Sequence, residues 1–296
     1  MTAHVAESDE ARGRVILRFS AWKPSDVAIH WAMMVAAAFH SEVEVLFVED
    51  RERVNFAGFP FAREIPIRGG PPRSVSPRAI RAEFRRSFAE ARKRIAALAQ
   101  GLGEEIKVYE SFVSDDPVQA LVSACARRGP WNVIALAEAF GSPAPCSLDE
   151  LFEAVTDATG IIVAGPNATV RRGPVVLAVE DTDHLHGMLR AGDRIAAVLG
   201  TGIVVLLIAG DQEALARMEA EVRLALGETP RVEIARARAT YGDIGVVAEA
   251  MRRLRGSFVI AQYGGTAVPR PVSYTHLRAH ETLTPISYAV FCVKKG

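Results

Sequence analysis

The chain has 296 residues, 49% of them hydrophobic, and its 35 Lys and Arg balance 35 Asp and Glu to a formal net charge of zero. That is enough apolar material for two domain cores, and the neutral balance excludes the whole-domain positive field on which nucleic-acid binders usually rely. Three cysteines, Cys125, Cys146 and Cys292, form no Cys-x-x-Cys or Cys/His cluster, which excludes a disulfide framework or zinc-finger reading.

Residues 1–13 are polar and lack apolar periodicity, as in a disordered leader, and no apolar run approaches the roughly 20 residues of a spanning helix. The expectation is a cytoplasmic protein with no membrane and no nucleic-acid partner.

Taken in order, residues 14–20 read as a first strand. Pro24-Ser25-Asp26 carries helix-start chemistry before a helix over 27–39, and 42–48 is a second strand. A proline- and glycine-rich insertion over 51–78 is expected to be irregular. Ile80, Phe84, Phe88, Ile95 and Leu98 then mark a helix over 77–100. A strand over 106–113, a helix capped by Asp115-Asp116-Pro117, a strand over 131–137, a helix over 148–157 and a strand over 160–164 complete the first half. The second half repeats this layout: strand 174–180, helix 184–199, strand 203–209, helix 212–226, strand 231–239, helix 242–254 and strand 258–262.

The repeat keeps its spacing. Val15-Ile16-Leu17 and Val175-Val176-Leu177 stand 160 residues apart, as do Val43 and Ile203. Past the insertion the offset falls to 126, pairing Ile106 with Val232 and Val133-Ile134-Ala135 with Val259-Ile260-Ala261. Two copies of one α/β domain are expected, over 14–168 and 173–271. Each is an open parallel five-stranded sheet with helices on both faces, Rossmann-like, and the second copy is truncated.

The truncation follows from the end of the chain. Residues 272–282, VSYTHLRAHET, resemble the conceptual translation of a transposase-type sequencing adaptor, and 286–292, ISYAVFC, resemble its flanking partner in the same frame. Residues 272–296 are therefore read as an adaptor-derived tail, which removes His276, His280 and Cys292 from any metal argument. The alternative is a natural ending, because the 126 offset carries Gly160 to Ile286 and 286–293 has strand-like composition.

At Val179-Glu180-Asp181-Thr182 the chain resembles the universal stress protein family, whose domain opens with a strand ending in Val-Asp-x-Ser. The resemblance implies the fold of the adenine nucleotide alpha hydrolases. It further implies that adenosine binds at the carboxyl ends of the strands, with an acid after strand one contacting the nucleotide. A G-x2-G-x9-G-[ST] loop after strand four would cradle phosphate on backbone N–H groups. The first half departs from this pattern: Ser20 holds the acid's place, the stretch after its fourth strand lacks the glycines, and Asp149-Glu150 stands where Gly-[ST] should open the last helix. The first half is therefore not expected to bind ATP. The second half keeps Glu180, Asp181 and Thr182 and has Gly264 and Gly265 after strand four, so these five are the cofactor-binding candidates, with ATP as the cofactor. The plainer reading of residues 180–183 is a solvated turn ahead of a helix cap.

The remaining candidates carry less. His184 and His186 diverge on a helix and have no carboxylate at the next turn, and His30 and His40 read as ordinary helix residues. Cys146 has acidic neighbours, which raise rather than lower a thiol pKa. No catalytic constellation is visible and none of these residues is assigned to a metal. Residues 63–94 hold ten Lys or Arg against three Glu. With Phe56, Phe59 and Phe61 nearby, 55–94 is the candidate surface for a protein partner or a homodimer. The function implied is a stress-response regulator, not an enzyme, that works through domain pairing and protein interaction. The alternative is an ATP or AMP sensor using the second half.

Overall fold

In a computed structural model, the structure describes residues 13–19, 25–65, 69–101, 106–127, 132–139, 148–155, 158–164, 168–227, 232–270 and 289–293. The first half runs β1 (Arg14–Phe19), α1 (Asp26–Ala38), β2 (Glu42–Asp50), α2 (Arg51–Phe56), β3 (Arg63–Glu64), β4 (Arg73–Ser74), α3 (Pro77–Gly101), β5 (Val108–Asp115), α4 (Pro117–Ala126), β6 (Asn132–Ala139), α5 (Leu148–Ala154) and β7 (Ala158–Ala164). The second runs β8 (Val175–Val179), α6 (Leu185–Leu199), β9 (Ile203–Ala209), α7 (Gln212–Leu226), β10 (Val232–Arg238), α8 (Ile244–Leu254), β11 (Phe258–Gln262) and β12 (Ala289–Val293).

Helix starts follow cap chemistry. Ser25 Oγ accepts from Ala28 N at 3.3 Å, Asp116 Oδ1 from Val118 N and Gln119 N at 2.9 and 3.0 Å, and Asp211 Oδ1 from Ala214 N at 2.7 Å. The insertion expected to be irregular instead holds α2, capped by Asp50 on Arg53 N at 3.1 Å, and the β3–β4 hairpin. Short elements of this kind have too few periodic residues to stand out against prolines and glycines.

The main sheet has ten strands in the order β10-β9-β8-β11-β12-β7-β6-β1-β2-β5. Every neighbouring pair is parallel except β12–β7, so two five-stranded parallel sets meet at an antiparallel seam. Helices α1, α3, α6 and α7 cover one face, packing on Val15, Leu17, Val175 and Leu177; α4, α5 and α8 cover the other, over Ile16, Val176 and Ala178.

The register corrects the repeat in two places. Val15 pairs with Val133, and its counterpart Val175 pairs with Phe258, so Val133 corresponds to Phe258 and not to Val259. A one-residue slip moves a side chain to the opposite face, and Val259 does lie in the other core. Strands buried on both faces carry no alternation, so their sequence cannot reveal such a slip. The third strands shift by two residues, because Val108 and not Ile106 corresponds to Val232.

Strand β12 lies within 272–296. Its register neighbours at Phe291 are Ile260 and Ile162, and Phe291 is buried between them. Apolar fit accounts for that seating; the origin of the residues is a separate matter. The helix that would precede it falls outside the described residues.

The seam has a second fastening. Trp31, fully buried on α1, stacks on Phe258 of β11 with ring centroids 4.5 Å apart, and the Arg194 guanidinium of α6 sits 5.4 Å from the Phe39 ring centroid beside α1. On the opposite face Phe152 of α5 stacks on Tyr263 at 4.3 Å, and the Tyr263 hydroxyl donates to Asp149. Helix α1 consequently buries eleven of its thirteen residues, which is why its sequence, DVAIHWAMMVAAA, has hardly any polar face.

Replacing Trp31 with Ala should therefore cost about 3–5 kcal/mol. Hydrogen exchange should show both halves loosening together, in β11 as well as in α1; loss of protection confined to the first half would contradict the fastening. Burial pushes the His30 imidazole on the same helix below its ordinary value of 6.5. A folded-state pKa below the unfolded one means the stabilisation is complete above about pH 6.5 and is lost as pH falls below it. Denaturant midpoints measured from pH 7.5 to 5 should fall for the wild type, and the decline should flatten in His30→Gln.

Candidate functional site

The order of the second set reverses beside β8. The chain steps outward through β9 to β10 and returns to place β11 on the opposite side of β8. Such a reversal opens a crevice at the carboxyl ends of the strands. A cavity of about 530 Å³ lies there, bordered by Glu180, Asp181, Thr182 and Asp183 after β8, Gly210 after β9, Arg217 and Glu221 on α7, Thr240 and Tyr241 after β10, and Thr266.

Gln262, buried at the end of β11, organises the turn after β8. Its amide oxygen accepts from Glu180 N and Asp181 N at 3.1 and 3.2 Å, and its amide nitrogen donates to Asp181 Oδ1 at 2.9 Å. Sequence reading missed Gln262 because the last residue of a buried strand carries no pattern of its own. Asp181 Oδ1 also accepts from Asp183 N at 3.2 Å, the turn geometry short acids favour. Thr240 closes the opposite wall, donating its N–H and hydroxyl to Asp243 at 2.9 and 2.7 Å, and these bonds hold the Asp243 carboxyl below its usual range.

The loop after β11 is compact. Gly264 N donates to Val268 O at 2.8 Å, and Gly264 has φ +88°, a conformation that favours glycine. The Arg270 guanidinium lies 5.9 Å from the Tyr263 ring centroid. Glu180 reaches under this loop, and its carboxylate accepts from Ala267 N at 2.8 Å and also from Thr266 N. A Cβ on Gly265 would sit 2.4 Å from Glu180 Oε1, so a side chain there would force the Glu180 carboxylate off its two N–H donors.

The structure thus brings Glu180 and Gly265 into contact, sets Asp181 and Thr182 on the cavity wall, and leaves Gly264 facing the Arg270 side chain. Two successive backbone N–H groups converging on one point form the arrangement that ordinarily holds an anion. Here a carboxylate of the chain itself supplies the negative charge. The cavity beside it is also acidic, with Glu180, Asp181, Asp183 and Glu221 against Arg217. A carboxylate within about 4 Å of a phosphate costs on the order of 1–4 kcal/mol, depending on screening.

The corresponding features of the first half, Ser20 and residues 140–147 with Cys146, lie outside the described residues. Asp149, at the start of α5, accepts from Tyr263 and so faces the second half's loop. Among the described residues, no group of three or more His, Cys, Asp or Glu is placed to hold a metal, and no helix is long and apolar enough to cross a membrane.

No family model and no curated protein matches the sequence. Solved structures do match. A universal stress protein from Archaeoglobus fulgidus DSM 4304 aligns over 96% of this chain and 98% of its own, at 14% identity and a TM-score of 0.60. A functionally unknown protein, PA1789, from Pseudomonas aeruginosa PAO1 aligns over 96% and 93%, at 14% identity and 0.53. A third, from Pseudomonas aeruginosa UCBPP-PA14 and described as a universal stress protein, aligns over 96% and 94%, at 13% and 0.53. At such identities the likeness is one of architecture, and on that ground the chain has the universal stress protein fold.

Proposed function

We propose that the chain is a cytoplasmic stress-response regulator of the universal stress protein type that performs no chemistry of its own. It acts through the pairing of its two halves and through protein contacts. The observation that carries this reading is the Glu180 carboxylate on Thr266 N and Ala267 N: the backbone that would receive a phosphate is already satisfied by the chain. A triphosphate would have to displace a hydrogen-bonded acid and then lie among three further carboxylates. In the first half, Asp149 at the start of the last helix argues the same way.

The protein-contact part rests on the insertion. Phe56, Phe59 and Phe61 are 54, 51 and 69% exposed, with Phe59 and Phe61 stacked at 5.3 Å, and Ile65, further along the same insertion, is 73% exposed. Contiguous exposed aromatics flanked by arginines suit an interface between proteins, a homodimer included. The second reading, a sensor of ATP or AMP, is favoured by the cavity at the strand ends, with Glu180, Asp181, Thr182, Gly264 and Gly265 as its contacts.

Calorimetric titration separates the two. With the wild-type chain, ATP at up to about 1 mM should give no saturable heat, whereas a micromolar complex would sink the regulator reading in favour of the sensor. Gly265→Ala drives a Cβ into Glu180 and should cost about 1–3 kcal/mol in denaturant unfolding. Adding Glu180→Ala should recover part of that loss, since the clash then has no partner. For the interface, sedimentation should show self-association that Phe56→Ser, Phe59→Ser and Phe61→Ser together abolish; association unaffected by the triple change would remove the insertion from the proposal.

A further inference from the structure

The two halves differ at the outer edges of the sheet. Phe47 pairs with Phe112 where β2 meets β5, and the counterpart of Phe47, Leu207, pairs with Arg236 where β9 meets β10. Phe112 and Arg236 therefore hold equivalent positions on the two edge strands. In the second half Arg236 is bound to Glu219 of α7, which also takes Arg223 Nε at 3.1 Å, so ion pairs close the space between helix and edge strand. In the first half that space is open. A groove of about 420 Å³ runs between α3 and β5, with Phe112 55% exposed on its floor.

The floor is aromatic. Phe47 lies 4.9 Å from Phe112 in a near-parallel stack and 4.6 Å from Phe88, and Phe84 continues the row 5.8 Å from Phe88. The rim is cationic. The Arg92 guanidinium lies 4.8 Å from the centroid of the Phe112 ring and pairs with Glu110 at 2.5 Å, while Arg85 makes no ion pair among the described residues. Glu49 also borders the groove, but Arg81 engages it at 3.3 Å and Ser114 Oγ donates to it at 3.4 Å. The Arg92–Glu110 pair is exposed and so contributes little. The Arg92 guanidinium lies over the Phe112 ring, and that is the place a planar ring would occupy.

From these observations we infer that the groove between α3 and β5 is a binding site for a small planar aromatic carboxylate. Its ring would stack on Phe112 in the place of the Arg92 guanidinium, and its carboxylate would be held by Arg85 and the displaced Arg92. A bidentate arginine suits a carboxylate, and the volume admits one or two fused rings. The site is remote from the cavity at the ends of β8 to β10 and does not depend on how that cavity is used.

The test uses the full 296-residue chain with 2-naphthoate as the probe and 2-naphthamide as its uncharged match, followed by calorimetry and ligand-observed NMR. Naphthoate should bind at least about tenfold more tightly than the amide. Phe112→Arg, which installs the residue of the second half at an exposed position, should weaken naphthoate at least about tenfold. Arg85→Glu combined with Arg92→Glu should do the same for naphthoate without weakening the amide, which has no carboxylate to lose and no longer competes with a guanidinium for the ring, and thermal melts should confirm that the variants fold. The inference is overturned by equal binding of acid and amide, by no naphthoate binding at about 1 mM, or by full retention in folded Phe112→Arg.

Discussion

The structure depends on the seam where the two parallel sets meet. An open sheet ends in unpaired N–H and C=O groups, and β7 would be such an edge if the first half stood alone. Pairing with β12 removes that edge, and α1 and α6 roof the junction from one side. Trp31 on Phe258 and Phe152 on Tyr263 fasten the two faces, and these contacts use only residues before 272. The joining of the halves therefore does not rest on β12 alone. A helix roofing a seam has hardly any wet side, which accounts for the run of alanines, methionines and valines in α1 and for the half-buried position of His30.

Much of this was legible in the sequence, because apolar runs of strand length separated by capped amphipathic segments admit few alternatives. Leu17 and Leu177, or Val43 and Ile203, mark equivalent places because both offsets lie on one side of the insertion. Beyond the insertion the legibility stops at the level of single residues. Val259 looks as good a partner for Val133 as Phe258 does, since both faces of these strands are buried and hydrophobicity no longer distinguishes inside from outside. The candidate site was legible in part. Glu180, Asp181 and Thr182 stood out as a polar break after an apolar run, and Gly264-Gly265 as a turn. That Glu180, at the border of the cavity, reaches under the loop depends on Gln262, which ties the backbone of residues 180 and 181 and so sets where the side chain can go. No local pattern encodes a bond across 82 positions.

The halves have also diverged in how they satisfy polar groups at the amino ends of the strands. In the first half Arg14, nearly buried, reaches Glu44, Asn132 at 3.1 Å and the Ala124 carbonyl, while Glu44 also takes Arg127 at 2.8 Å and Ser111 at 3.0 Å. At the 160 offset the second half has Pro174 and Val204 in place of Arg14 and Glu44. There Ser257 donates its N–H to the Pro174 carbonyl at 2.9 Å, and neither Pro174 nor Val204 brings a charge to be buried. Replacing a buried ion pair with apolar residues is often neutral or stabilising, whereas removing one partner is costly. The two arrangements are therefore separate solutions, each complete, with no cheap single step between them.

A duplicated fold has two crevices at strand ends and two outer edges, and each copy is free to close one and open another so long as its core survives. The second half closes its edge with the Glu219 ion pairs and keeps a cavity at its strand ends, though with the anion position taken by Glu180. The first half opens its edge, where Phe112 replaces an arginine and the opposing helix carries Arg85 and Arg92. Exposure of a large aromatic on an edge strand is a standing liability for aggregation. In Phe112 that liability is masked by a guanidinium laid across the ring and by an acid, Glu110, that holds the guanidinium there. A cover of that kind is held by exposed charges and so can be lifted without disturbing the core, which is the property a ligand groove needs and a structural contact does not.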